Sequence, residues 1–372
     1  MTFKMKEIAE FGQSLWLDTI SRSLLDSGEL KTLIAQGLMG MTSNPTIFDN
    51  AVSKSNDYDE EIKRLSGLGK STFEIYDELT VKDIQDAADL LMPVYESTNK
   101  RDGYISLEIN PTLAQKTKET IEEGRRLWAK GNRLNLMLKV PATDEGFDAI
   151  ETLISEGMNV NATLIFSVAQ YEKTAKSYIN GVKKLIASGK DAKSVHSVAS
   201  VFVSRIDGVI DNMLEKKLGE VEETKKDQIA SYMGKAAIAN TKLVHEKYIE
   251  VFSQDEFKDL EAKGANWQRA LWASTGTKNP SYSDILYVQE VIAPNTVNTV
   301  PDKTLAAFID HGKVCNTIES DYTEYKIYFE TLNNYGININ TVCNDLLDKG
   351  LVSFVASFNS LLKSIEEKSR AI

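Results

Sequence analysis

The sequence predicts an α/β fold, a single (β/α)8 (TIM) barrel, from two observations. Short apolar runs bounded by Gly, Pro or Asn alternate with longer stretches of helical period along the 372 residues, which is typical of parallel strands joined by helices. Eight of the short runs are strand candidates, the number that closes such a barrel. They span residues 14–18, 40–43, 104–109, 135–140, 161–166, 197–203, 270–274 and 296–300.

Helical candidates lie between and after these strands. They span residues 21–36, 71–95, 112–130, 145–156, 168–188, 208–252 (in two or more pieces) and 282–291. The stretch 208–266 is longer than a crossover needs, so we interpret it as an elaboration before the seventh strand that contains a solvated charged tract. Residues 304–372 are helical by pattern, with Gly312, Gly336 and Gly350 as breakers and a solvated tail.

These patterns predict one domain over residues 1–372. We expect its C-terminal helical extension, from about residue 313 to residue 372, to pack across the outside of the barrel.

Composition and charge exclude several classes of protein. The chain is 42% hydrophobic and 26% charged, which is ordinary for a globular protein, and its net charge of −11 argues against nucleic-acid binding through a basic surface. No apolar run is long enough to cross a bilayer and the N-terminus has no signal-peptide core, so we expect a cytoplasmic protein. The 2 cysteines and 3 scattered histidines predict neither a disulfide framework nor a metal site.

One apolar run contains a lysine. Lys139 follows Leu136, Met137 and Leu138 and precedes Val140. A charged lysine is costly in such surroundings unless its head group reaches water, finds a partner or loses its proton. The ammonium could extend into solvent from the end of the strand. A neutral amine would instead be a nucleophile that forms Schiff bases with carbonyl substrates.

Polar or charged residues recur where the strand candidates end. Seven candidates carry one, and these residues are Asp18, Asn44, Glu108, Lys139, Thr163, Arg205 and Ser274. In a barrel these ends converge on one mouth, where the chemistry of the fold occurs, so we expect a single site. Taken singly, Asp18 could cap the following helix, and Asn44 before Pro45 is an ordinary turn residue.

These residue types suit chemistry on a phosphorylated ketose. Burial would destabilise the charged form of Lys139, which could then attack a ketone. Asp18 and Glu108 could move the protons that imine formation and C–C bond cleavage require. Groups that bind phosphate follow on adjacent strands and loops, namely Ser200, Arg205, Ser274, Thr275, Gly276 and Lys278.

The motifs resemble those of the transaldolase family, Schiff-base (β/α)8 enzymes of the pentose phosphate pathway. The matching pieces lie between residues 15 and 301 and read LWLDTISR, GMTSNPTIF, YISLEINP, NLMLKVPAT, NVNATLIFS, SVASVFVSRID, LWASTGTKNP and NTVNTVP. The resemblance implies transfer of a dihydroxyacetone unit from sedoheptulose 7-phosphate to glyceraldehyde 3-phosphate, giving erythrose 4-phosphate and fructose 6-phosphate. It implies no cofactor and no metal, because the imine is itself the electron sink.

The resemblance also implies roles for individual residues. Lys139 would form the imine, Asp18 would act as acid and base on the C4 hydroxyl, and Glu108 with Thr163 would order the catalytic water. The implied substrate-binding residues are Asn44, Ser200 and Phe202 around the sugar, Arg205 at the phosphate, and Ser274 with Lys278 as second phosphate ligands. Many family members have an arginine shortly after the serine of the seventh strand, where this chain has Ser274 and then Lys278.

Two alternatives stay open. A related lysine aldolase, fructose 6-phosphate aldolase, releases free dihydroxyacetone, and that branch predicts Gln at position 108 and Tyr at position 202. Glu108 and Phe202 favour transfer over release. A non-catalytic barrel that binds sugar phosphates or a protein predicts loss of Lys139, Asp18 or Glu108, and all are present.

We expect sugar phosphates as partners, no nucleic acid or membrane, and a monomer or homodimer.

Overall fold

The computed structural model describes residues 4–318 and 320–371. In these residues eight strands form a barrel, namely β1 (Gln13–Leu17), β2 (Gly40–Thr42), β3 (Tyr104–Glu108), β4 (Leu136–Pro141), β5 (Val160–Ile165), β6 (Ser197–Phe202), β7 (Arg269–Ala273) and β8 (Thr296–Val300). Each strand pairs in parallel with the next, and β8 closes the barrel on β1. The predicted fold class is confirmed, and every predicted strand agrees with the structure to within one residue at each end.

Helices surround the barrel and join its strands. They are α1 (Lys4–Phe11), α2 (Arg22–Asp26), α3 (Glu29–Gln36), α4 (Pro45–Ser53), α5 (Asp59–Gly67), α6 (Thr72–Ser97), α7 (Thr117–Gly131), α8 (Asp144–Glu156), α9 (Val168–Ala187), α10 (Ser204–Leu218), α11 (Glu223–Ala230), α12 (Ala236–Phe252), α13 (Asp255–Glu261), α14 (Leu286–Gln289), α15 (Asp302–His311), α16 (Thr323–Asn334) and α17 (Ile339–Ala371). Short 3-10 turns lie at Pro111–Leu113 and Ala192–Ser194. None of the described helices is long and apolar enough to span a membrane.

The bounds and number of several helices differ from the prediction. The predicted helix 21–36 is divided into α2 and α3 at Gly28, whose φ of 83° is left-handed. The predicted helix 282–291 is reduced to α14, whereas the stretch 208–252 is divided into pieces as predicted, namely most of α10, then α11 and α12. Sequence reasoning misses α1, α4, α5 and α13, because helices of seven to nine residues show little periodicity.

The last helix crosses the mouth of the barrel. α17 runs for 33 residues and packs against α4, α6 and β5. The prediction that Gly350 breaks this segment is wrong, because Gly350 is buried inside α17, where a Cβ would lie 3.1 Å from Leu164 Cδ2. The helix packs against outer helices of the barrel, as predicted, and it also reaches the mouth, since Phe354 lines the cavity that contains Lys139. The predicted solvated tail is only partly so, because Ile365 is buried.

A buried ion pair closes the end of the barrel opposite the mouth. Arg269 Nη1 lies 3.0 Å from Asp102 Oδ1, and the two side chains are only 7% and 5% exposed. Asp102 also accepts hydrogen bonds from Ser14 Oγ at 2.8 Å and Trp16 Nε1 at 3.0 Å. Arg269 donates to Ser14 Oγ at 2.6 Å and to the Thr296 carbonyl at 2.8 Å. Through these contacts the network connects β1, β7 and β8 to the segment that precedes β3.

We expect Asp102→Ala to lower the free energy of unfolding by about 3–5 kcal/mol, because Arg269 is left buried without its counter-charge. Asp89→Ala is the matched control, since it removes the partner of Arg133 from an ion pair whose carboxylate is 55% exposed. That change should cost less than about 1 kcal/mol. Urea denaturation followed by circular dichroism measures both variants, and equally small losses would contradict the assigned role of the network.

Candidate active site at the barrel mouth

A cavity of about 210 Å³ opens among the carboxyl ends of the strands. Eight of the ten site residues predicted from the sequence line it, and these are Asp18, Asn44, Lys139, Ser200, Phe202, Arg205, Ser274 and Lys278. Gly276, which the sequence also suggested as a phosphate-binding group, lines it too, and sequence reasoning misses the rest of the lining, which is Thr46, Ile47, Ala273, Thr299, Pro301 and Phe354. The two remaining predicted residues, Glu108 and Thr163, are buried without lining the cavity. In the described parts of the chain, His, Cys, Asp and Glu side chains form no group of three that could hold a metal ion.

Lys139 occupies the centre of this arrangement. It lies in β4, where its register partners are Glu108 of β3 and Asn161 of β5. β4 is buried on both faces, so the residues that point away from the barrel interior are apolar as well. Successive side chains of a strand point to opposite faces, which places Met137 and Lys139 on the same face. The lysine side chain is only 5% exposed, and Nζ donates a hydrogen bond to the Ser43 carbonyl at 3.1 Å. The alternative of a head group extended into bulk solvent is therefore wrong.

Glu108 is the carboxylate nearest to the lysine. Its Oε2 lies 3.7 Å from Lys139 Nζ, close enough for an ion pair and too long for a hydrogen bond. Burial raises the pKa of Glu108 to about 7, against the opposing effect of the Lys139 charge. Neither carboxylate oxygen has a hydrogen-bond partner among the described residues. Such unpaired buried oxygens indicate a position for a water molecule or a substrate hydroxyl.

Thr163 presents a second unpaired oxygen at a bulge in β5. Its Oγ1 is buried without a hydrogen-bond partner in the described part of the chain. The register between β5 and β6 shifts between Ala162 and Ile165, and Leu164 adopts a left-handed φ of 59°. A bulge redirects the side chains next to it, and such strain is typical of functional sites. Thr163 and Glu108 thus share the property that fits the predicted ordering of a water.

The raised pKa of Glu108 gives a prediction for the pH dependence of activity. With a pKa of about 7 the carboxylate fraction rises from roughly a tenth at pH 6 to roughly nine-tenths at pH 8, and only the carboxylate can accept a proton from water. We expect kcat/KM to rise with pH through an apparent pKa near 7, and Glu108→Gln to remove that limb. Initial rates between pH 5.5 and 9 measure the profile.

Glu122→Gln is the control for this profile, because Glu122 is 58% exposed and pairs only loosely with Lys118. It should leave the profile unchanged. A Glu108→Gln enzyme that kept the same rising limb would show that another group causes it.

Asp18 follows β1 and points to the same cavity. Its Oδ1 accepts a hydrogen bond from Thr42 Oγ1 at 2.6 Å, and Thr42 is in turn 2.6 Å from Thr299 Oγ1. Burial raises the pKa of Asp18, while the charge of Lys139 opposes the shift. The alternative of a helix cap is wrong, because the N-cap of α2 is Ser21. Asp18 is therefore a fixed carboxyl group available to a substrate hydroxyl.

Asn44 and Ser200 stand on opposite sides of the cavity. Asn44 caps α4 by accepting a hydrogen bond from the Ile47 amide at 3.0 Å, as its turn-residue interpretation predicts, and its side chain also lines the cavity. Ser200 donates to Asn161 Oδ1 at 2.6 Å, and Asn161 donates to Ser106 Oγ at 3.0 Å. Sequence reasoning misses Asn161, although its spacing of two from Thr163 in an apolar strand is a usable signal.

The edge of the cavity between β6 and β7 is cationic. Arg205 in the first turn of α10 holds its guanidinium carbon 5.0 Å from the centre of the Phe202 ring. Burial lowers the pKa of Arg205, and burial together with the Arg205 charge lowers the pKa of Lys278. Ser274 has a left-handed φ of 54° and places its Oγ 3.2 Å from Ser204 Oγ. Two cations and clustered hydroxyls make this edge suitable for a phosphate group.

Known proteins are similar to this chain along most of its length. The Transaldolase/Fructose-6-phosphate aldolase family model matches residues 15–365. A transaldolase of Trichodesmium erythraeum is 46% identical over 100% of this chain and 99% of its own length, and transaldolase 2 of a Nostoc species is 45% identical over 98% and 97%. A transaldolase of Thiobacillus denitrificans is 43% identical over 97% of this chain and 99% of its own length. The chain belongs to the transaldolase/fructose-6-phosphate aldolase family.

Proposed function

We propose that this enzyme is a transaldolase that carries a dihydroxyacetone unit as an imine on Lys139. The observation that carries the proposal is the enclosed amine of Lys139, with Glu108 at 3.7 Å and Asp18 on the wall of the same cavity. The relatives that are named transaldolase match almost all of this chain and almost all of their own length.

The proposed first half-reaction begins at the ketose carbonyl. The Lys139 amine attacks C2 to give a carbinolamine, which loses its C2 oxygen as water when the water held by Glu108 and Thr163 relays a proton. Asp18 then accepts the proton of the C4 hydroxyl, the C3–C4 bond breaks, and its electron pair moves into the protonated imine to leave an enamine. The aldehyde formed at C4 then leaves the site, still carrying its phosphate group.

The second half-reaction reverses these steps with another aldehyde. The enamine carbon attacks the acceptor carbonyl, and Asp18 returns its proton to the new alkoxide. Water then hydrolyses the imine and releases the new ketose. Sedoheptulose 7-phosphate and glyceraldehyde 3-phosphate are the proposed substrates, and erythrose 4-phosphate and fructose 6-phosphate the products. The cationic edge at Arg205 and Lys278 supports a phosphorylated substrate.

Transfer is favoured over release of dihydroxyacetone by Phe202. Its ring lies 5.4 Å from the Phe166 ring and beside Arg205, and a phenylalanine at this position has no hydroxyl that could help a water molecule protonate the enamine and start its release. We expect fructose 6-phosphate to be consumed rapidly only when erythrose 4-phosphate is added. An enzymatic assay of free dihydroxyacetone with and without this acceptor distinguishes the two activities, and rapid release without acceptor would refute transfer.

We further propose that the enzyme acts in the cytoplasm as a monomer or homodimer, a location that suits phosphorylated sugars because they do not cross membranes unaided. Residues 1–372 are proposed to form one domain, with a C-terminal extension from about residue 313. The position of Phe354 in the lining of the cavity supports this assignment.

A further inference from the structure

We infer that Lys349, on the C-terminal helix α17, is a third cation of the phosphate-binding end of the site and favours phosphorylated substrates over unphosphorylated ones. This inference rests on the proposed function and adds to it a residue far along the chain from the strand-end motifs.

The cavity that contains Lys139 adjoins a larger one. Arg205 and Lys278 line both the cavity of about 210 Å³ and a second cavity of about 620 Å³. A three-carbon unit held on Lys139 occupies the smaller space, so the phosphorylated end of a longer sugar must reach the boundary between the two. Lys349 lines the larger cavity on the far side of that boundary.

The face of α17 that borders the larger cavity is well defined. Leu346, Lys349 and Ser353 line it, and their spacing of three and four residues places them on one side of the helix. Gly350 brings the helix close to the cationic edge, because a Cβ at this position would lie 3.7 Å from Arg205 Nη1. The residue beside Lys349 in sequence is therefore in near contact with the Arg205 guanidinium.

The cations around this boundary are not held in close ion pairs with the described residues, and Asp18 acts on Arg205 only at longer range. Over residues 4–318 and 320–371, neither Arg205, Lys278 nor Lys349 makes a salt bridge. Later cations of the same helix behave differently, since Lys363 pairs with Glu367 at 3.7 Å and Lys368 with Asp59 at 2.5 Å. Arg205 and Lys278 at the boundary and Lys349 in the larger cavity, none of them in a salt bridge within the described chain, favour an anion between them. The N-terminus of α10 adds to this, because no side chain caps it.

The acidic residues of the larger cavity make their close contacts with other groups or lie away from Arg205. Asp207 accepts hydrogen bonds from the Tyr287 hydroxyl at 2.7 Å and the Ala237 amide at 2.7 Å. Asp211 likewise accepts from the Tyr282 hydroxyl at 2.8 Å. The third acid, Glu215, lies ten residues beyond Arg205 on α10, or about 15 Å along the helix axis. Glu215 is therefore distant from Arg205, while Asp207 and Asp211 are hydrogen-bonded to groups other than the cations.

The test compares Lys349→Ala with a matched change on the same helix. Lys363→Ala is the control, because its side chain is 76% exposed and its partner is Glu367. We expect Lys349→Ala to raise KM for fructose 6-phosphate about tenfold with kcat changed less than about twofold, and to leave turnover of unphosphorylated fructose unchanged. Lys349→Arg should recover most of the affinity, and Lys363→Ala should behave as the unsubstituted enzyme.

Binding of inorganic phosphate, measured by titration calorimetry, gives a second readout that does not require turnover. Its dissociation constant should rise about tenfold in Lys349→Ala. An unchanged phosphate affinity, or an equal loss of activity toward fructose and fructose 6-phosphate, would overturn the role of Lys349. Absence of turnover in the unsubstituted enzyme would instead refute the proposed function, and thermal unfolding of each variant verifies that it is folded.

Discussion

Replacement of Lys139 by alanine is expected to lower kcat by on the order of 10⁴-fold or more, because the variant loses the amine that the mechanism uses to attach the dihydroxyacetone unit. Lys139→Arg should be as inactive, since a guanidinium stays charged and cannot form the imine. Lys139→Met should also be inactive while preserving the volume of the buried side chain. Initial rates of erythrose 4-phosphate formation measure all three variants.

The fold should survive these changes. Without the Lys139 charge, burial favours the neutral form of Glu108, and the Arg205 charge and the Thr42 hydrogen bond still act on the Asp18 carboxyl. Circular dichroism and thermal unfolding of the variants are therefore expected to resemble those of the unsubstituted enzyme. Lys173→Ala is the control, because its side chain is 62% exposed in an ion pair with Asp144. A Lys139→Ala enzyme that retained a tenth of the activity would contradict the mechanism.

Asp18→Asn is expected to lower kcat by about 10²–10⁴-fold while imine formation continues. Asparagine keeps the shape of the side chain and can still accept the hydrogen bond that Thr42 Oγ1 donates to Asp18 at 2.6 Å. It cannot accept the proton of the C4 hydroxyl, so cleavage of the C–C bond should fail after the imine has formed. Borohydride trapping with fructose 6-phosphate should then still label the variant.

This pair of readouts separates the roles of Asp18 and Lys139. Asp144→Asn is the control, because its carboxylate is 83% exposed. If Asp18→Asn lost trapping and turnover together, Asp18 would be required for imine formation and its assignment to C–C cleavage would be wrong. If turnover fell less than tenfold, Asp18 would have no essential part in proton transfer.

The barrel and most of the cavity could be predicted from sequence for a physical reason. Parallel strands buried on both faces are short and apolar, so a polar residue such as Lys139 or Asp18 at a strand end stands out against its neighbours. The barrel then brings these ends together without information about distant contacts. The strand-end residues of the prediction accordingly reappear around one cavity.

The contribution of the C-terminal helix could not be predicted in the same way. A glycine such as Gly350 in a helical pattern can either end the helix or allow it to pack closely against another part of the protein, and the sequence looks the same in both cases. Only the contacts with Leu164 and Arg205 show that Gly350 does the second. Phe354 and Lys349 reach the two cavities through the packing of α17 across the barrel mouth. Helical periodicity identifies an apolar face and leaves its packing partner undetermined.

Borohydride reduction in the presence of fructose 6-phosphate, followed by peptide mass mapping, tests the central claim most directly. Reduction converts an imine into a stable amine and so marks the lysine that formed it. We predict a single adduct on the peptide that contains Lys139, formed only when the sugar phosphate is present and absent from Lys139→Met. No adduct, or an adduct on Lys278 or Lys349, would contradict the proposed mechanism.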